Sequence, residues 1–213
     1  TAIGYNSLAA NTASENTAIG SGALKLNITG IHNTAAGFNA AGTQTTSNDS
    51  TAFGYSALAI NIADQNTAIG SQTLSVNTSG ASNTAVGCLT LRDNIDGNAN
   101  TGVGQSSLAV NTSGSYNTSV GCQALSTNTI GANNNALGFN ALGLCLSGGN
   151  NTAIGYNTLA AISTAANATA VGYSALAANT AANNTAVGSG SLQLNTSGTQ
   201  NTALGYNSLA TTL

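Results

Sequence analysis

The chain has 213 residues, of which only two are basic and five are acidic, so its formal net charge is −3. A single histidine, His32, and five scattered carboxylates can hardly form a general acid–base centre, so we expect neither an enzyme nor a cofactor. Nucleic-acid binding, which requires a basic surface, and membrane insertion, which requires roughly 18 consecutive apolar residues, are not expected for this segment either.

The tetrapeptide Thr-Ala-Ile/Val-Gly and its variants recur along the whole chain at spacings of 16 or 17 residues. We number the positions of each unit as columns one to seventeen from this threonine, and the 16-residue units omit column fourteen. Column four is Gly in all thirteen units, and column eight is Leu in all but one, where Ala41 replaces it. Such strict registration predicts that equivalent positions stack in space, and that residues 1–213 form one repeat region of thirteen units with the last one truncated.

The length and composition of the unit determine which fold it can form. Helical-pair repeats need about 33 residues, and Asn, Thr and Gly are poor helix formers. At ~3.3 Å per residue, 17 residues trace a loop of about 56 Å, enough for two short strands and two turns. We therefore predict an all-β fold, a parallel β-solenoid of about 17-residue coils that each rise by one strand spacing of ~4.8 Å.

Columns eleven to seventeen are predicted to form a corner of the coil. The three 16-residue units lose one residue and one glycine together, as expected if two turn types substitute at the same corner. We expect the longer turn to need a positive φ, which glycine supplies at low cost, and asparagines in columns eleven and seventeen to cap the corner and form amide ladders. The predicted turn glycines are Gly30, Gly80, Gly97, Gly114, Gly131, Gly148 and Gly198.

Period-two alternation along the strand assigns side chains to the two faces of the coil. Thr1, Ile3 and Tyr5 share the outer face, while Ala2 and Gly4 point inward with Leu8. An apolar stripe in column three would then mark a subunit interface. In the alternative, the chain bends near Gly4, column three shares a core with Leu8, and the rod is a monomer. The predicted interface residues are Ile3, Ile19, Phe53, Ile69, Val86, Val103, Val120, Leu137, Ile154, Val171, Val187 and Leu204.

Two segments carry a resemblance to known families. Asn66-Thr67-Ala68-Ile69-Gly70 and the segment 151–159, Asn-Thr-Ala-Ile-Gly-Tyr-Asn-Thr-Leu, resemble the head repeats of trimeric autotransporter adhesins. They are even more similar to the Asn-Thr-Ala-x-Gly-Tyr-x-Ala-Leu arrays of bacterial and phage fibre proteins. The resemblance covers the entire chain, although the adhesin head unit is shorter around columns eight to eleven.

The resemblance implies a left-handed parallel β-roll, usually a homotrimer, on an extracellular, cell-surface or virion fibre. The chain is then expected to be a fragment of a longer fibre, serving as a structural shaft or head region in adhesion, attachment or filament assembly. The implied partners are further copies of the chain and, through the outer surface or a distal tip, a host surface or glycan. An ice-binding β-solenoid is the alternative function, because the column-one threonines form a regular row.

Two smaller features have both a functional and a structural interpretation. Cys88 and Cys122 lie two units apart, about 9.6 Å along the rod, which exceeds the ~7 Å limit for a disulfide, and Cys145 lies in another column. We expect no intramolecular disulfide framework, and a cross-link between subunits is the alternative.

Asp93 and Asp96 form a weak Ca²⁺ candidate, but the segment lacks the full twelve-residue loop, so a polar corner beside Arg92 is favoured over a metal site.

Column five carries aromatic residues in seven of the thirteen units. These rings could stack against sugars, or they could pack from coil to coil, and the sequence favours neither interpretation. The residues are Tyr5, Phe38, Tyr55, Phe139, Tyr156, Tyr173 and Tyr206.

Overall fold

The computed structural model describes residues 1–211, in which thirteen short strands form one parallel sheet in chain order. Each strand occupies columns one to three of its coil. The strands are β1 (Ala2–Ile3), β2 (Thr17–Ile19), β3 (Thr34–Ala36), β4 (Thr51–Phe53), β5 (Thr67–Ile69), β6 (Thr84–Val86), β7 (Thr101–Val103), β8 (Thr118–Val120), β9 (Asn135–Leu137), β10 (Thr152–Ile154), β11 (Thr169–Val171), β12 (Thr185–Val187) and β13 (Thr202–Leu204).

Successive strands pair column on column. Thr84 is opposite Thr101, and Val86 is opposite Val103, with the same register in every pair. Backbone hydrogen bonds between coils continue beyond the strand, for example from the Leu91 N–H to the Ser107 carbonyl at 3.0 Å. The predicted parallel β-solenoid of about 17-residue coils is therefore confirmed.

Each coil contains one strand, so the prediction of two strands and two turns per coil is wrong. The rest of the coil turns through left-handed residues in columns six, eight and sixteen; in the eighth coil these are Gln123 (φ 58°), Leu125 (φ 48°) and Asn133 (φ 58°). Asn, Asp and Gly tolerate this conformation best, but column eight adopts it with leucine. Burial of that leucine in the core offsets the conformational cost, since its side chain is fully buried in the interior coils.

The column-four glycines are required by both conformation and space. Their φ angles lie between 119° and 139°, a region that is essentially restricted to glycine. A Cβ added to Gly121 would lie 2.4 Å from the carbonyl oxygen of Gly138 in the next coil. The absence of a side chain therefore lets the coils approach to strand spacing at this bend.

The column-fourteen glycines do lie at the corner, but the predicted reason is wrong. None of them has a positive φ; the left-handed residue of this corner is in column sixteen. Glycine is needed because a Cβ at Gly114 would lie 2.4 Å from the Gly131 carbonyl oxygen and 2.5 Å from the Asn111 Oδ1. The constraint is therefore close packing between coils.

The interior of the solenoid is narrow and is filled by alanine and leucine. Column two is buried in nearly every coil, as Ala68 and Ala153 illustrate, and column eight places Leu74 and Leu159 beside it. Column three points outward, which rules out the alternative in which it shares a core with column eight. The inward placement of columns two and eight is confirmed.

Two asparagine ladders run along the interior and satisfy the backbone of the corner. In column eleven, Asn111 Nδ2 donates to Asn94 Oδ1 of the preceding coil at 2.7 Å and to the Gly114 carbonyl at 2.9 Å. In column seventeen, Asn100 Oδ1 accepts from the Asn117 N–H at 3.0 Å. The predicted corner-capping role of both columns is confirmed.

The two turn lengths use the same column-eleven amide. In the 17-residue coils it donates to the carbonyl three residues on, as Asn77 does to Gly80 at 2.7 Å. In the 16-residue coils it donates to the carbonyl two residues on, as Asn61 does to Ala63 at 2.8 Å. Two turn types therefore do substitute at one corner.

The column-seventeen ladder stops where its acceptor is missing. Asn100 Nδ2 donates to the column-fourteen carbonyl of the next coil, that of Gly114, at 2.8 Å. The two coils that precede a 16-residue coil inside the chain face no column-fourteen carbonyl, and they carry Ser50 and Ala168 in place of asparagine. A buried side-chain amide without an acceptor lowers the stability of the fold. The length of one coil therefore restricts which residue can occupy column seventeen of the coil before it.

Candidate interaction surfaces

The outer face of the sheet combines a threonine column with an apolar column. Column one is threonine in twelve of the thirteen coils, and column three is aliphatic or aromatic except at Ala36. The larger column-three side chains are well exposed, from 39% for Ile154 to 58% for Ile3 and 78% for Leu204. The structure thus brings all the predicted interface residues into one outward stripe along the rod.

The column-one threonine hydroxyls differ from the column-twelve threonine hydroxyls in their hydrogen bonding. Most column-twelve threonines donate to the next coil, as Thr112 Oγ1 does to the Thr129 carbonyl at 2.9 Å. Within residues 1–211, no hydrogen bond is made by the column-one hydroxyls, such as those of Thr84 and Thr101, so they face outward unpaired.

The column-five aromatics pack against one another where they are adjacent. Phe139, Tyr156 and Tyr173 form a continuous stack with ring centroids 5.3 and 5.2 Å apart and interplanar angles of 13° and 5°. Phe38 and Tyr55 stack at 5.7 Å. Inside these stacks the ring faces are covered by neighbouring rings, so a sugar can reach only the end faces and the ring edges.

The three cysteines are free thiols. Cys88 and Cys122 face outward in column five, while Cys145 replaces an asparagine in the interior ladder. Burial raises the pKa of the Cys145 thiol to about 11, so it stays protonated at neutral pH. Next to it the ladder is broken, since the Oδ1 of Asn128 has no hydrogen-bond partner.

The two predicted Ca²⁺ candidates do not converge on one point. Asp93 is held by Arg92, whose Nε donates to its carboxylate at 2.7 Å, while Asp96 is exposed. No group of three or more His, Cys, Asp or Glu side chains in residues 1–211 is arranged to hold a metal ion. The geometry is that of a polar corner beside Arg92.

His32 forms a surface ion-pair ladder that the sequence reasoning missed. Its Nδ1 lies 3.0 Å from Asp49 and its Nε2 lies 2.5 Å from Glu15, each one coil away in column sixteen. The hydrogen bond to Asp49, and after it that to Glu15, raises the pKa of His32. A signal was available, because the three residues occupy the same column in consecutive units.

Comparison of the chain with protein-family models, with curated protein sequences and with solved structures finds no match. No helix long and apolar enough to cross a membrane occurs in residues 1–211.

Proposed function

We propose that the chain is the structural shaft or head region of an extracellular, cell-surface or virion fibre that serves attachment or filament assembly. The observation that carries the proposal is the unbroken stack of thirteen coils joined by backbone hydrogen bonds and two interior amide ladders. Because each coil bonds only to its neighbours, the molecule is a stiff spacer whose length grows with the number of coils.

The proposed assembly is a homotrimer in which column three faces the threefold axis. Large exposed side chains such as Ile3, Phe53 and Leu137 form an apolar stripe whose exposure to water is unfavourable. Soluble monomers rarely expose a long continuous apolar surface. Charged residues would oppose such packing, and column three contains none. The resemblance to fibre and adhesin-head repeats supports the same assembly.

Replacing Val120 with lysine tests this assembly. Val120 lies between Val103 and Leu137 in the stripe, so three lysine ammonium groups would meet near the axis without counter-ions. We expect the variant to be monomeric with an unchanged circular dichroism spectrum, while the parent chain is trimeric by light scattering at micromolar concentration.

The matched control is Gln105→Lys, which adds the same charge at an exposed column-five position away from the stripe. This control should remain trimeric. A monomeric parent chain, or a Val120→Lys variant that assembles as well as the control, would contradict the proposed interface.

Ice binding is the second candidate function, and it is favoured by the row of unpaired column-one hydroxyls on a regular sheet. If the face binds ice, the purified chain will show thermal hysteresis and will shape ice crystals. Thr101→Lys should then reduce the freezing-point gap because its bulk breaks the row, whereas Gln105→Lys should not. Absence of both hysteresis and ice shaping in the parent chain would eliminate this function.

A further inference from the structure

The column-five aromatic row has two single-coil gaps, and each gap is flanked by aromatic rings on both sides. In the second coil Ser21 lies between Tyr5 and Phe38, and in the twelfth coil Ser189 lies between Tyr173 and Tyr206. Every other non-aromatic coil belongs to the run from the fifth to the eighth coil. In each gap, therefore, a single coil without a ring lies between two coils that carry one.

The two gaps also share their other residues. Segment 21–27 reads Ser-Gly-Ala-Leu-Lys-Leu-Asn, and segment 189–195 reads Ser-Gly-Ser-Leu-Gln-Leu-Asn. Gly22 and Gly190 are the only glycines in column six, where most coils carry a larger polar side chain. A small residue in column five is therefore accompanied by the smallest residue in column six in both gaps, which we call the first and the second notch. The second notch is already filled, because a Cβ added at Gly190 would lie 2.1 Å from the Asn207 Oδ1.

The first notch is an open cavity of about 170 Å³. Its walls are the rings of Tyr5 and Phe38, its floor is Ser21 and Gly22, and its polar rim contains the following three side chains: Asn6, Lys25 and Asn39. A Cβ at Gly22 would meet no atom closer than 3.8 Å, so the floor is unfilled. Lys25 is one of only two cationic side chains in the sequence, apart from His32.

The spacing of the walls fits one ring. Two coils separate Tyr5 from Phe38 by about 9.6 Å, so an inserted ring would lie about 4.8 Å from each wall. Adjacent rings in the intact stacks lie 5.2–5.7 Å apart, which is close to that distance. The face of Phe38 that points away from Tyr55 is therefore available to a ligand.

We propose that the first notch is a saccharide site that clamps one pyranose ring between the faces of Tyr5 and Phe38. The C–H groups of a pyranose carry a partial positive charge and pack against the negative face of an aromatic ring, while its hydroxyls require donors and acceptors at the edge. The asparagine amides on the rim supply both. The Lys25 ammonium makes the notch selective for a sugar that carries a carboxylate.

This inference rests on the proposed attachment function, for which it names the ligand class. The test is a titration of the chain, isotopically labelled at Tyr and Phe, with methyl glucuronide and with methyl glucoside. Binding is monitored through the aromatic NMR signals of Tyr5 and Phe38. We expect both sugars to shift these signals and the glucuronide to bind more tightly. Lys25→Gln should weaken glucuronide binding at this notch about tenfold and so remove the preference for the glucuronide over the glucoside.

Two variants fill the first notch by different means. Ser21→Tyr completes the aromatic row, and Gly22→Asn restores the column-six asparagine of the neighbouring coils at a φ that asparagine tolerates. Both should abolish binding of either sugar at this notch while circular dichroism stays unchanged. The control Ser71→Tyr adds a ring in the fifth coil, outside both notches, and should leave binding intact.

Several results would overturn the proposal. The first is the absence of a signal shift with either sugar at about 50 mM, and the second is unchanged binding in the two filled variants. The third is tighter binding of N-acetyltyrosinamide than of both sugars, because that result would indicate a planar aromatic ligand. The assembly measured with Val120→Lys is independent of these titrations, so failure of the sugar site and failure of the fibre proposal remain distinguishable.

Discussion

Gly138→Ala is expected to destabilise the solenoid severely, by about 4 kcal/mol or more in free energy of unfolding. Gly138 has a φ of 136°, which an L-residue rarely adopts, and a Cβ there would lie 2.3 Å from the Gly155 carbonyl oxygen. Neither problem can be relieved locally, because the obstructing atom is backbone that is itself bonded to further coils. Chemical denaturation followed by circular dichroism measures the loss.

Gly22→Ala is the comparison at a positive-φ glycine that has free space around it and a φ in the left-handed region that other residues also adopt. Gly22 also has a positive φ, 72°, but a Cβ there would have no neighbour within 3.8 Å. We therefore expect a loss of only about 1–2 kcal/mol, the cost of placing alanine in the left-handed region. Equal losses in the two variants would show that close approach of the coils is not what requires glycine in column four.

Asn100→Ala is expected to lower the free energy of unfolding by about 3 kcal/mol, because it leaves the buried Asn117 N–H without its acceptor and removes one of the two donors to the Gly114 carbonyl. Asn100 is fully buried; its Oδ1 accepts from the Asn117 N–H at 3.0 Å and its Nδ2 donates to the Gly114 carbonyl at 2.8 Å. Water cannot replace these bonds in so narrow an interior. Denaturation of the variant and the parent chain gives the difference directly.

The matched control is Asn98→Ala on the surface of the same coil. Asn98 also makes two backbone hydrogen bonds, to the Ala81 N–H at 2.9 Å and to the Asp96 carbonyl at 2.8 Å, but its side chain is exposed. Water can replace its amide, so the expected loss is below about 1 kcal/mol. A control as damaging as Asn100→Ala would contradict the importance of burial for the ladder.

The structure shows which faces of the column-five aromatic rings are free to contact a sugar. From the sequence, seven aromatic residues were equally compatible with sugar binding and with coil packing. The stack of Phe139, Tyr156 and Tyr173 and the pair of Phe38 and Tyr55 assign their inner ring faces to packing. Two open faces oppose each other across an open cavity at Tyr5 and Phe38, so the proposed sugar site is confined to that position.

The repeat pattern is enough to predict the coil, its length, its register and the identity of its inward columns. It could do so because a repeat of 16 or 17 residues leaves only a β-coil, and because alternation along a strand places Ala2 and Leu8 on the same side as Gly4. The capping role of columns eleven and seventeen followed from the chemistry of asparagine at turns.

The path of the rest of the coil and the need for its glycines depend on contacts between coils, which exist only in the folded chain. Left-handed leucines in column eight have no sequence signal, since leucine is stabilised there by burial that exists only once the coils stack. The column-fourteen glycines looked like positive-φ residues but are fixed by contact with the next coil, as Gly114 shows. Both effects arise between coils that are 16 or 17 residues apart, and a pattern read along a single unit does not contain them.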